Sequence, residues 1–391
     1  MGICFSSIKR ILRIRHNWQC LKCFFADRFF YKKNTSFEKI ILVIKTDAIG
    51  DYILFRNFLE VLRNNLEYKN YKLVFCGNAA FKNIAENLDK TFVDEFVWID
   101  RKLLSKNTNY RKSIFQKINS LKAEITLQPG YSREFLISDS LAKASAAKQI
   151  IAHRGDNAND IKLFTWLSDF FYTKLYSEGE DLIFEFDRNK LFFELFLKEK
   201  ISLPIPSLPK ISNSLIEKKY AIFFPGAGEK IKQWDPKNFA LVANFIFTNY
   251  GFEIKICGSS EDQKLADEII SELNEDIPFE NLCGKTDLME LIALIQNANL
   301  LLTNDSSAFH IAACSGTQTL CLLMGRHYGR FAPYPNSPKN LSYVYPDSFD
   351  TFFENNKASI SHLTRYNSNS KINEISADKV IANIKKFYTS V

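Results

Sequence analysis

The sequence lacks several patterns that would place it in a common class of protein. Its 391 residues contain no run of about eighteen apolar residues, so no membrane-spanning helix is predicted. Glycine is scarce, at 14 residues, and the strands that open the two halves lead into neither a G-x-G-x-x-G nor a Walker loop. These absences argue against nicotinamide, flavin and P-loop enzymes. No Asp-x-Asp occurs either, so we expect no carboxylate-held metal at a diphosphate.

The net charge of +7 is concentrated at the N-terminus. Residues 1–33 hold eight basic side chains and one acid, Asp27. The whole chain has 51 basic and 44 acidic residues, so the part after residue 33 has 43 of each. A neutral body with a basic arm predicts that the arm alone meets an anionic surface. Because the body has no basic excess, we expect no nucleic-acid partner.

The same arm carries apolar residues at helical spacing between its charges, namely Ile8, Ile11, Leu12, Trp18, Leu21, Phe24 and Phe25. A basic amphipathic helix lying on a membrane face has this pattern. A helix packed on the body with its charges in water has the same pattern, and the sequence leaves both alternatives open. The apolar segment of a secretory signal does not follow the charges.

The eight cysteines predict no complete metal site. Cys20 and Cys23 have a metal-like spacing, but no second pair and no His-x3–5-His follows them. Cys76, Cys257 and Cys321 lie in apolar, strand-like runs, as small buried residues do. This usage is typical of a reduced, cytoplasmic chain.

From residue 38 onward, apolar runs alternate with amphipathic stretches, which predicts an α/β fold with parallel sheets. The strands predicted in the first half are 38–44, 72–76, 95–99, 124–127 and 149–152, with a helix over 51–64 and a Phe-rich, mainly helical stretch at 155–200. The strands predicted in the second half are 219–224, 252–257, 300–303 and a final one at 318–324, with helices at 237–250, 261–273, 288–298, 306–314 and 376–388.

Three prolines within residues 203–210 indicate a semi-rigid connector between the halves. We therefore predict a basic amphipathic arm over 1–35, a Rossmann-like domain over 36–202, a Pro-rich linker over 203–215 and a second Rossmann-like domain with a terminal helix over 216–391. Two such domains normally bind a ligand in the cleft between them.

The first predicted strand leads into Gly50 and Asp51. Gly50 permits a tight turn, and Asp51 falls at the mouth of the sheet, where a helix begins. A carboxylate at this point is suited to act as a general base. The simpler alternative is an acid that caps the helix or favours its first turn.

Two further segments offer anion-binding chemistry. After the first strand of the second half, Gly226-Ala227-Gly228 lets backbone N–H groups approach an anion, and Lys232 adds a positive charge. A glycine-rich turn with a solvated lysine is the alternative. Residues 304–310 (NDSSAFH) mark a strand-to-helix junction, whose first amides form a ready diphosphate site. There His310 either reaches the ligand or packs as a structural residue.

Taken in order, residues 45–51, 225–234 and 304–316 resemble the heptosyltransferase-like glycosyltransferases, family 9 of the GT-B fold. The resemblance runs from about residue 38 to residue 335. It implies an α/β fold with two Rossmann-like domains facing each other across a cleft, the first for the acceptor and the second for the nucleotide sugar. The best-known members transfer a heptose from an ADP-sugar to the lipopolysaccharide inner core.

Matched position by position, the resemblance implies a role for ten residues. The family's catalytic carboxylate falls on Asp51, and its phosphate-contacting lysine falls on Lys232. The other positions implied to bind the donor are Gly226, Ala227, Gly228, Glu261, Asp305, Ser306, Ser307 and His310, with Glu261 matched to the donor ribose. Ser307 replaces the glycine that is usual in the family.

The resemblance therefore implies an inverting, metal-independent glycosyltransferase without a cofactor, whose substrate is a nucleotide diphosphate sugar and above all ADP-heptose. The expected acceptor is a lipid-linked saccharide, lipopolysaccharide core or a related surface glycan. The enzyme would then lie on the cytoplasmic face of the membrane, with residues 1–33 against anionic lipid. A GT-B nucleotide-sugar epimerase and a catalytically silent nucleotide-sugar-binding scaffold at the membrane are the alternatives.

Overall fold

The computed structural model describes residues 2–177, 183–211, 218–336, 338–365 and 368–389, and within them the side chains of all but residues 2–13, 361 and 389. The chain divides into two units. Unit 1 comprises Met1–Ala48, Arg56–Glu180 and Arg188–Ser202, and unit 2 comprises Ile49–Phe55, Asp181–Asp187 and Leu203–Val391. Each unit is built around its own sheet.

The strands of unit 1 are β1 (Glu38–Lys45), β2 (Lys72–Asn78), β3 (Glu95–Ile99), β4 (Ala123–Gln128), β5 (Gln149–His153) and β6 (Lys174–Tyr176). They form one parallel sheet in the order β3-β2-β1-β4-β5-β6. The last six residues of β1 are all buried, as expected for a central parallel strand covered on both faces. The five strands predicted in this half are confirmed.

Nine α-helices occur among the described residues of the first half, namely α1 (Gly2–Asp27), α2 (Ile49–Ile53), α3 (Asn57–Asn64), α4 (Lys82–Leu88), α5 (Arg101–Lys106), α6 (Thr108–Ser120), α7 (Ser140–Ser145), α8 (Lys162–Asp169) and α9 (Glu185–Leu197). A π-helical turn, Phe135–Asp139, precedes α7. All of them except α2 and the first residues of α9 belong to unit 1. The stretch 155–200 therefore holds two helices and also the edge strand β6, which the sequence did not predict.

Helix α1 packs one face on the core of unit 1. Cys20 is fully buried there, and Phe24 stacks against Phe171. Asp27 accepts two hydrogen bonds from Arg111, at 2.7 and 2.6 Å, and both side chains are buried. Removing one partner of such a pair costs about 3–5 kcal/mol, so this contact fixes the helix on the body. The side chains of Ile8, Ile11 and Leu12 lie outside the described part.

The strands of unit 2 are β7 (Tyr220–Phe224), β8 (Glu253–Ile256), β9 (Phe279–Asn281), β10 (Leu300–Asn304), β11 (Thr319–Leu322) and β12 (Leu341–Val344). They form a second parallel sheet in the order β12-β11-β10-β7-β8-β9. The helices are α10 (Pro236–Tyr250), α11 (Gln263–Ile270), α12 (Leu288–Asn297), α13 (Ser307–Ser315), α14 (Asp347–Asn356), α15 (Ile360–Leu363) and α16 (Ala377–Thr389). The expected α/β class with two Rossmann-like sheets is thus confirmed.

Local chemistry explains where the helices of unit 2 begin and end. Asp235 accepts a hydrogen bond from the Lys237 amide at the start of α10, and Pro236 occupies the first helical position. Gly251 ends the helix with φ +66°, a conformation that glycine adopts without strain. Asp287 and Glu290 form a reciprocal capping box at the start of α12.

Two sequence predictions need correction. The segment 51–64, predicted as one helix, contains two helices, and the chain turns between them. Helix α2 belongs to unit 2, whereas α3 belongs to unit 1. The strand predicted at 318–324 is not the last, since β12 pairs beside it. The strand β9 gave no signal, because its three residues are polar or exposed.

The predicted linker over 203–215 is described only as far as residue 211, without helix or strand, and its remainder lies outside the described residues. The boundaries between the four predicted segments stay predictions. Among the described residues, no helix combines the length and the apolar content needed to cross a bilayer.

Candidate functional site

The candidate site of unit 2 lies where the order of strands reverses. From β7 the chain proceeds outward through β8 and β9, and then returns to the other side of β7 to form β10 and β11. Because all the strands are parallel, the loops after β7 and β10 leave the same edge in opposite directions. Ligands of open α/β sheets bind in the crevice that forms at such a point.

The loop after β7 passes closely by an acidic side chain. A Cβ on Gly226 would lie 2.5 Å from Oδ2 of Asp262, and a Cβ on Gly258 would lie 2.8 Å from the same oxygen. Only glycine leaves room for the carboxylate at these two positions. Gly228 is exposed and has no atom within 4 Å of where its Cβ would be, so the backbone there is open to a ligand.

Lys232 reaches the junction between β10 and α13. Its Nζ lies 2.7 Å from Oδ2 of Asp305, and both side chains are about three-quarters buried. A lysine held this way is already partly desolvated, and its ammonium group has two further N–H donors that a ligand can use. An incoming anion would therefore compete with Asp305 for the ammonium group.

Trp234 and Asn304 hold the two loops together. Trp234 is fully buried, and its indole donates a hydrogen bond to the carbonyl of Ile375. Asn304 accepts from the Trp234 amide at 3.3 Å and donates to the carbonyl of Pro225 at 2.7 Å. This buried amide side chain thus fixes the glycine loop and the Lys232 turn relative to β10.

Helix α13 presents its N-terminus at the same edge. Ser306 is its N-cap residue, and the Ser306 side chain hydrogen-bonds to Thr303 Oγ1 at 2.9 Å instead of to the helix amides. The first amides of a helix have no partner within it, and they favour an anion. Ser307, the first helical residue, is partly exposed, so an anion can reach this end of α13.

His310 lies one turn into α13 and is buried. Its Nδ1 is 3.0 Å from the hydroxyl of Tyr334. Burial lowers the pKa of His310 to about 4, with Lys232 adding to the effect and Asp305 opposing it. The imidazole is therefore neutral at neutral pH.

The other edge of the same imidazole touches α2. A Cβ on Gly50 would lie 2.8 Å from Cδ2 of His310. Gly50 therefore allows α2 to pack closely on α13. The next residue, Asp51, lies on the same short helix. Asp51 is partly buried and belongs to the same unit as Lys232 and Asp305, although the sequence places it directly after the first strand of unit 1.

Glu261 is exposed, in the turn Ser260–Asp262 after β8. The neighbouring Asp262 turns toward the glycine loops and accepts hydrogen bonds from the amide and hydroxyl of Ser259, each at 2.8 Å. Sequence reasoning missed Asp262. The signal that could have found it is the capping pattern Ser259-x-x-Asp262, which places an acid beside the loop.

A shallow depression at the carboxyl end of β11 combines apolar and charged side chains. Its floor is formed by Leu322, Leu323, Met324, Ile231 and Ile372. Lys232, Arg326 and Asp305 lie at its rim, and Arg326 is paired with Glu229 at 2.7 Å. An apolar surface beside two cations suits a molecule with a flat apolar part and an anionic part. Arg326 was not among the predicted residues.

Unit 1 has a polar cluster at the carboxyl edge of its own sheet. The buried Lys45 pairs with Asp47 at 2.6 Å, and Arg101 pairs with Glu134 at 2.8 Å. Burial raises the pKa of Glu134 despite that arginine. Several buried polar atoms here have no hydrogen-bond partner among the described residues, namely Thr46 Oγ1, Gln128 Oε1, Glu134 Oε2, and Nε and Nη1 of Arg133. Buried polar atoms without partners are rare in folded proteins, so water, an ion or a ligand is expected to bind here.

One group of possible metal ligands occurs among the described residues. His16, Cys20 and Asp160 place one donor atom each within 4.8 Å of one another. His16 Nε2 lies 2.9 Å from Asp160, and this hydrogen bond raises the pKa of His16. The group belongs to unit 1 and contains none of the predicted donor-binding residues. A metal-independent reaction stays a prediction.

Comparison with known proteins shows a resemblance to one family. Residues 191–352 match the family described as glycosyltransferase family 9 (heptosyltransferase). A lipopolysaccharide core heptosyltransferase, OpsX, of Haemophilus influenzae is 29% identical over 171 residues, which cover 43% of this chain and 48% of that protein. A lipooligosaccharide heptosyltransferase 2 of Campylobacter jejuni is 30% identical over 184 residues, covering 45% and 56%. Residues 191–352, about two fifths of the chain, thus resemble glycosyltransferase family 9.

These matches span about half the length of the curated relatives. Solved structures extend the likeness in fold over most of the chain. A family 9 glycosyl transferase from Veillonella parvula superposes with a TM-score of 0.67 over 92% of this chain and 100% of its own, at 17% identity. The E. coli ADP-heptose lps heptosyltransferase II superposes with a TM-score of 0.64 over 89% and 98%, also at 17% identity. The GT-B fold is thereby shown.

The structure brings most of the predicted site residues to one edge of the unit 2 sheet. Lys232 and Asp305 are in direct contact, and Ser306, Ser307 and His310 follow on one helix. Gly226 to Gly228 form the adjacent loop, whereas Glu261 is exposed in the turn beyond it. Asp51 arrives on the short helix that touches His310.

Proposed function

We propose that this chain is an inverting glycosyltransferase that moves a sugar from a nucleotide diphosphate sugar, ADP-heptose above all, to a hydroxyl of lipopolysaccharide core or a related surface glycan. The observation that carries the proposal is the junction of β10 with α13, where Lys232, a helix N-terminus and a glycine loop meet at the strand-order reversal. The family match favours transfer over the epimerase-like and the catalytically silent alternatives.

The diphosphate is assigned to Lys232, the amides of 226–228 and the first amides of α13. Each of these groups is a fixed positive charge or a fixed dipole, so each stabilises the charge that grows on the leaving diphosphate without reorganising. When the diphosphate takes the ammonium of Lys232, Asp305 loses that hydrogen bond. The apolar floor formed by Leu322, Met324 and Ile372 supports a nucleobase at the same edge.

Asp51 is assigned the role of general base. It takes the proton of the acceptor hydroxyl as that oxygen attacks the anomeric carbon, and the bond to the diphosphate breaks in the same displacement. Its place on α2 supports this role, because α2 packs on α13, whose N-terminus is assigned to the diphosphate. His310 is a positioning residue in this scheme, since its neutral ring supports Gly50.

The donor ribose is assigned to the turn Ser260–Asp262. Glu261 is exposed there and can turn toward a ligand, whereas Asp262 is held by Ser259. The acceptor is assigned to the polar edge of unit 1, where Arg133 and Glu134 keep unpartnered buried atoms. A guanidinium with open N–H donors suits an acceptor that carries carboxylate or phosphate groups.

The acceptor is proposed to be lipid-linked, and the enzyme to lie on the cytoplasmic face of the membrane. Support comes from the basic excess of residues 1–33, which anionic lipid attracts. The protein would then be peripheral, held by charge and by exposed apolar side chains.

The test is product analysis with purified protein. ADP-heptose and a deacylated lipopolysaccharide core acceptor should together give a heptosylated product with inverted anomeric configuration. Conversion of the donor without any acceptor would instead support an epimerase. A well-folded sample that is stabilised by nucleotide sugars but gives no product with any core acceptor would support the silent scaffold.

A further inference from the structure

Helix α1 and the segment that joins α5 to α6 enclose an apolar groove of about 670 Å³ on unit 1. Trp18, Leu21 and Phe25 form one wall, and Leu104 and Thr108 contribute to the other. This volume is typical of a site for a small molecule, for which about 300–1,000 Å³ is usual. The groove belongs to neither the donor site nor the polar edge of unit 1.

The groove lies along the outer face of a helix whose inner face is already packed. Cys20, Phe24 and Asp27 point inward, whereas Trp18 is 71% exposed and Phe25 is 55% exposed. Trp18 and Phe25 are two helical turns apart on the same face of α1, and Leu21 lies between them, so the three side chains form an apolar surface. The ring of Phe25 also packs edge-to-face on Phe24, with the ring centroids 5.5 Å apart.

The charge around the groove has one sign. Lys22 and Lys106 line it and are exposed, and none of the described lining residues is acidic. The single acid of the arm, Asp27, is paired with Arg111 and buried. The groove therefore offers apolar walls together with uncompensated cations, which complements an anionic amphiphile.

We propose that this groove takes one acyl chain of an anionic phospholipid, with the lipid phosphate beside Lys22 and Lys106. The inference deepens the proposed membrane contact and rests on it, since it states which part of the arm enters the lipid and what it holds. A second copy of the chain would not need the cations, and a free phosphate would not need the apolar walls.

The first experiment uses the full chain and the tryptophan of the groove as reporter. Vesicles of phosphatidylcholine with phosphatidylglycerol, the latter brominated on its acyl chains, should quench the fluorescence of Trp18, because bromine quenches indole on contact. The Trp18→Phe variant should lose that quenching, whereas Trp166→Phe, which removes another exposed tryptophan of unit 1, should keep it. Vesicles of phosphatidylcholine alone should quench little.

Two substitutions separate groove filling from surface attraction. Phe25→Ser should weaken vesicle binding about tenfold, since it removes a large apolar contact with lipid. Phe279→Ser, at a similarly exposed position of unit 2, is the matched control and should leave binding unchanged. Thr108→Phe places a ring in the groove and keeps every charge, so it should preserve adsorption to anionic vesicles but abolish quenching by brominated chains.

Point substitutions are preferable to deleting the arm, because the deletion would also remove Asp27 and leave Arg111 without its buried partner. Quenching that survives Thr108→Phe, or equal binding of the Phe25→Ser and Phe279→Ser variants, would overturn the proposal. So would full displacement of vesicles by glycerol phosphate, which would assign the site to the headgroup alone. A lipid-independent dimer that Phe25→Ser dissociates would assign the groove to a second copy.

The same samples are tested for thermal stabilisation by ADP-heptose. Protein that is stabilised by the donor but shows no chain-dependent quenching refutes the groove proposal and leaves the proposed function standing. If brominated lipid quenches Trp18 but no nucleotide sugar stabilises the protein, the groove proposal stands and the proposed donor is refuted.

Discussion

Gly50 and His310 are in van der Waals contact, so close that a Cβ on Gly50 would lie 2.8 Å from Cδ2 of the imidazole. The two residues are 260 positions apart in sequence, yet both belong to unit 2. Through this contact α2, which carries Asp51, packs on α13, the helix whose N-terminus is assigned to the diphosphate. His310 is held in turn by Tyr334, so the ring has little freedom to yield.

Gly50→Ala should therefore lower turnover more than donor affinity. The added methyl group forces α2 or the buried ring to shift, which costs about 1–3 kcal/mol of stability, as overpacking usually does. Urea unfolding and steady-state kinetics with ADP-heptose measure the two effects. In the His310→Ala background the clash is absent, so the penalty of Gly50→Ala should shrink there. An unchanged penalty in that background would mean that another contact limits position 50.

Asp51→Asn should reduce kcat by about 10²–10⁴-fold, because the amide cannot accept the proton of the acceptor hydroxyl. Thermal stabilisation by ADP-heptose should remain. The matched control is Glu60→Gln, which neutralises an exposed first-turn acid of α3 and tests the effect of helix-end charge alone. If both variants show the same small loss, Asp51 is a helix-end acid and not the base.

Lys232→Ala should weaken binding of ADP-heptose about 10–100-fold, since a charge-assisted hydrogen bond contributes about 1.5–3 kcal/mol. Titration calorimetry with ADP and with adenosine locates the effect, which should appear only with the diphosphate. Lys237→Ala removes an exposed lysine five residues further on and should change neither affinity. A loss of equal size for adenosine would contradict a diphosphate contact.

The depressed pKa of His310 predicts how stability depends on pH. The folded pKa of about 4 lies below the ordinary value of 6.5, so the unfolded chain binds a proton at a pH where the folded chain does not. This part of the stability is complete above pH 6.5 and is lost as the pH falls toward 4, by about 3 kcal/mol in all. His310→Asn should remove that dependence.

Chemical unfolding of both proteins between pH 7 and pH 4.5 measures the difference. His327, whose pKa is also lowered to about 4 by burial and by neighbouring arginines, titrates in both proteins and so cancels in the comparison. Parallel stability curves for the two proteins would show that His310 is not held neutral.

Turnover should survive EDTA. Among the described residues, the one cluster of possible metal ligands is His16, Cys20 and Asp160, and it contains none of the residues assigned to the diphosphate. Activity that EDTA abolishes and Mg²⁺ restores would contradict the expected metal independence. Loss of thermal stability on chelation, with activity restored by Zn²⁺ alone, would instead point to that cluster.

Much of the fold followed from local patterns. The apolar runs at β1 and β7 are long enough to be buried on both faces. Pro236 and Gly251 set the ends of α10, and the Asp287 capping box sets the start of α12, by contacts with neighbouring residues only. Short edge strands such as β6 and β9 escaped prediction, because three residues carry too weak an apolar signal. The sequence predicts an amphipathic helix α1 but not which of its residues face the core. That depends on contacts of Asp27 with Arg111 and of Phe24 with Phe171, which are distant in sequence.

The sequence by itself determined the two α/β halves, the glycine loop, the Lys232 turn and the helix start at Ser306, because each depends on residues within a few positions of one another. Only the tertiary structure decided that Lys232 pairs with Asp305, that Asp262 rather than Glu261 faces the glycines, and that Asp51 belongs with unit 2. Those contacts join segments tens to hundreds of residues apart. The first two form because parallel strands bring their carboxyl ends to one edge, and the third because the chain enters unit 2 directly after β1. No local pattern specifies either arrangement.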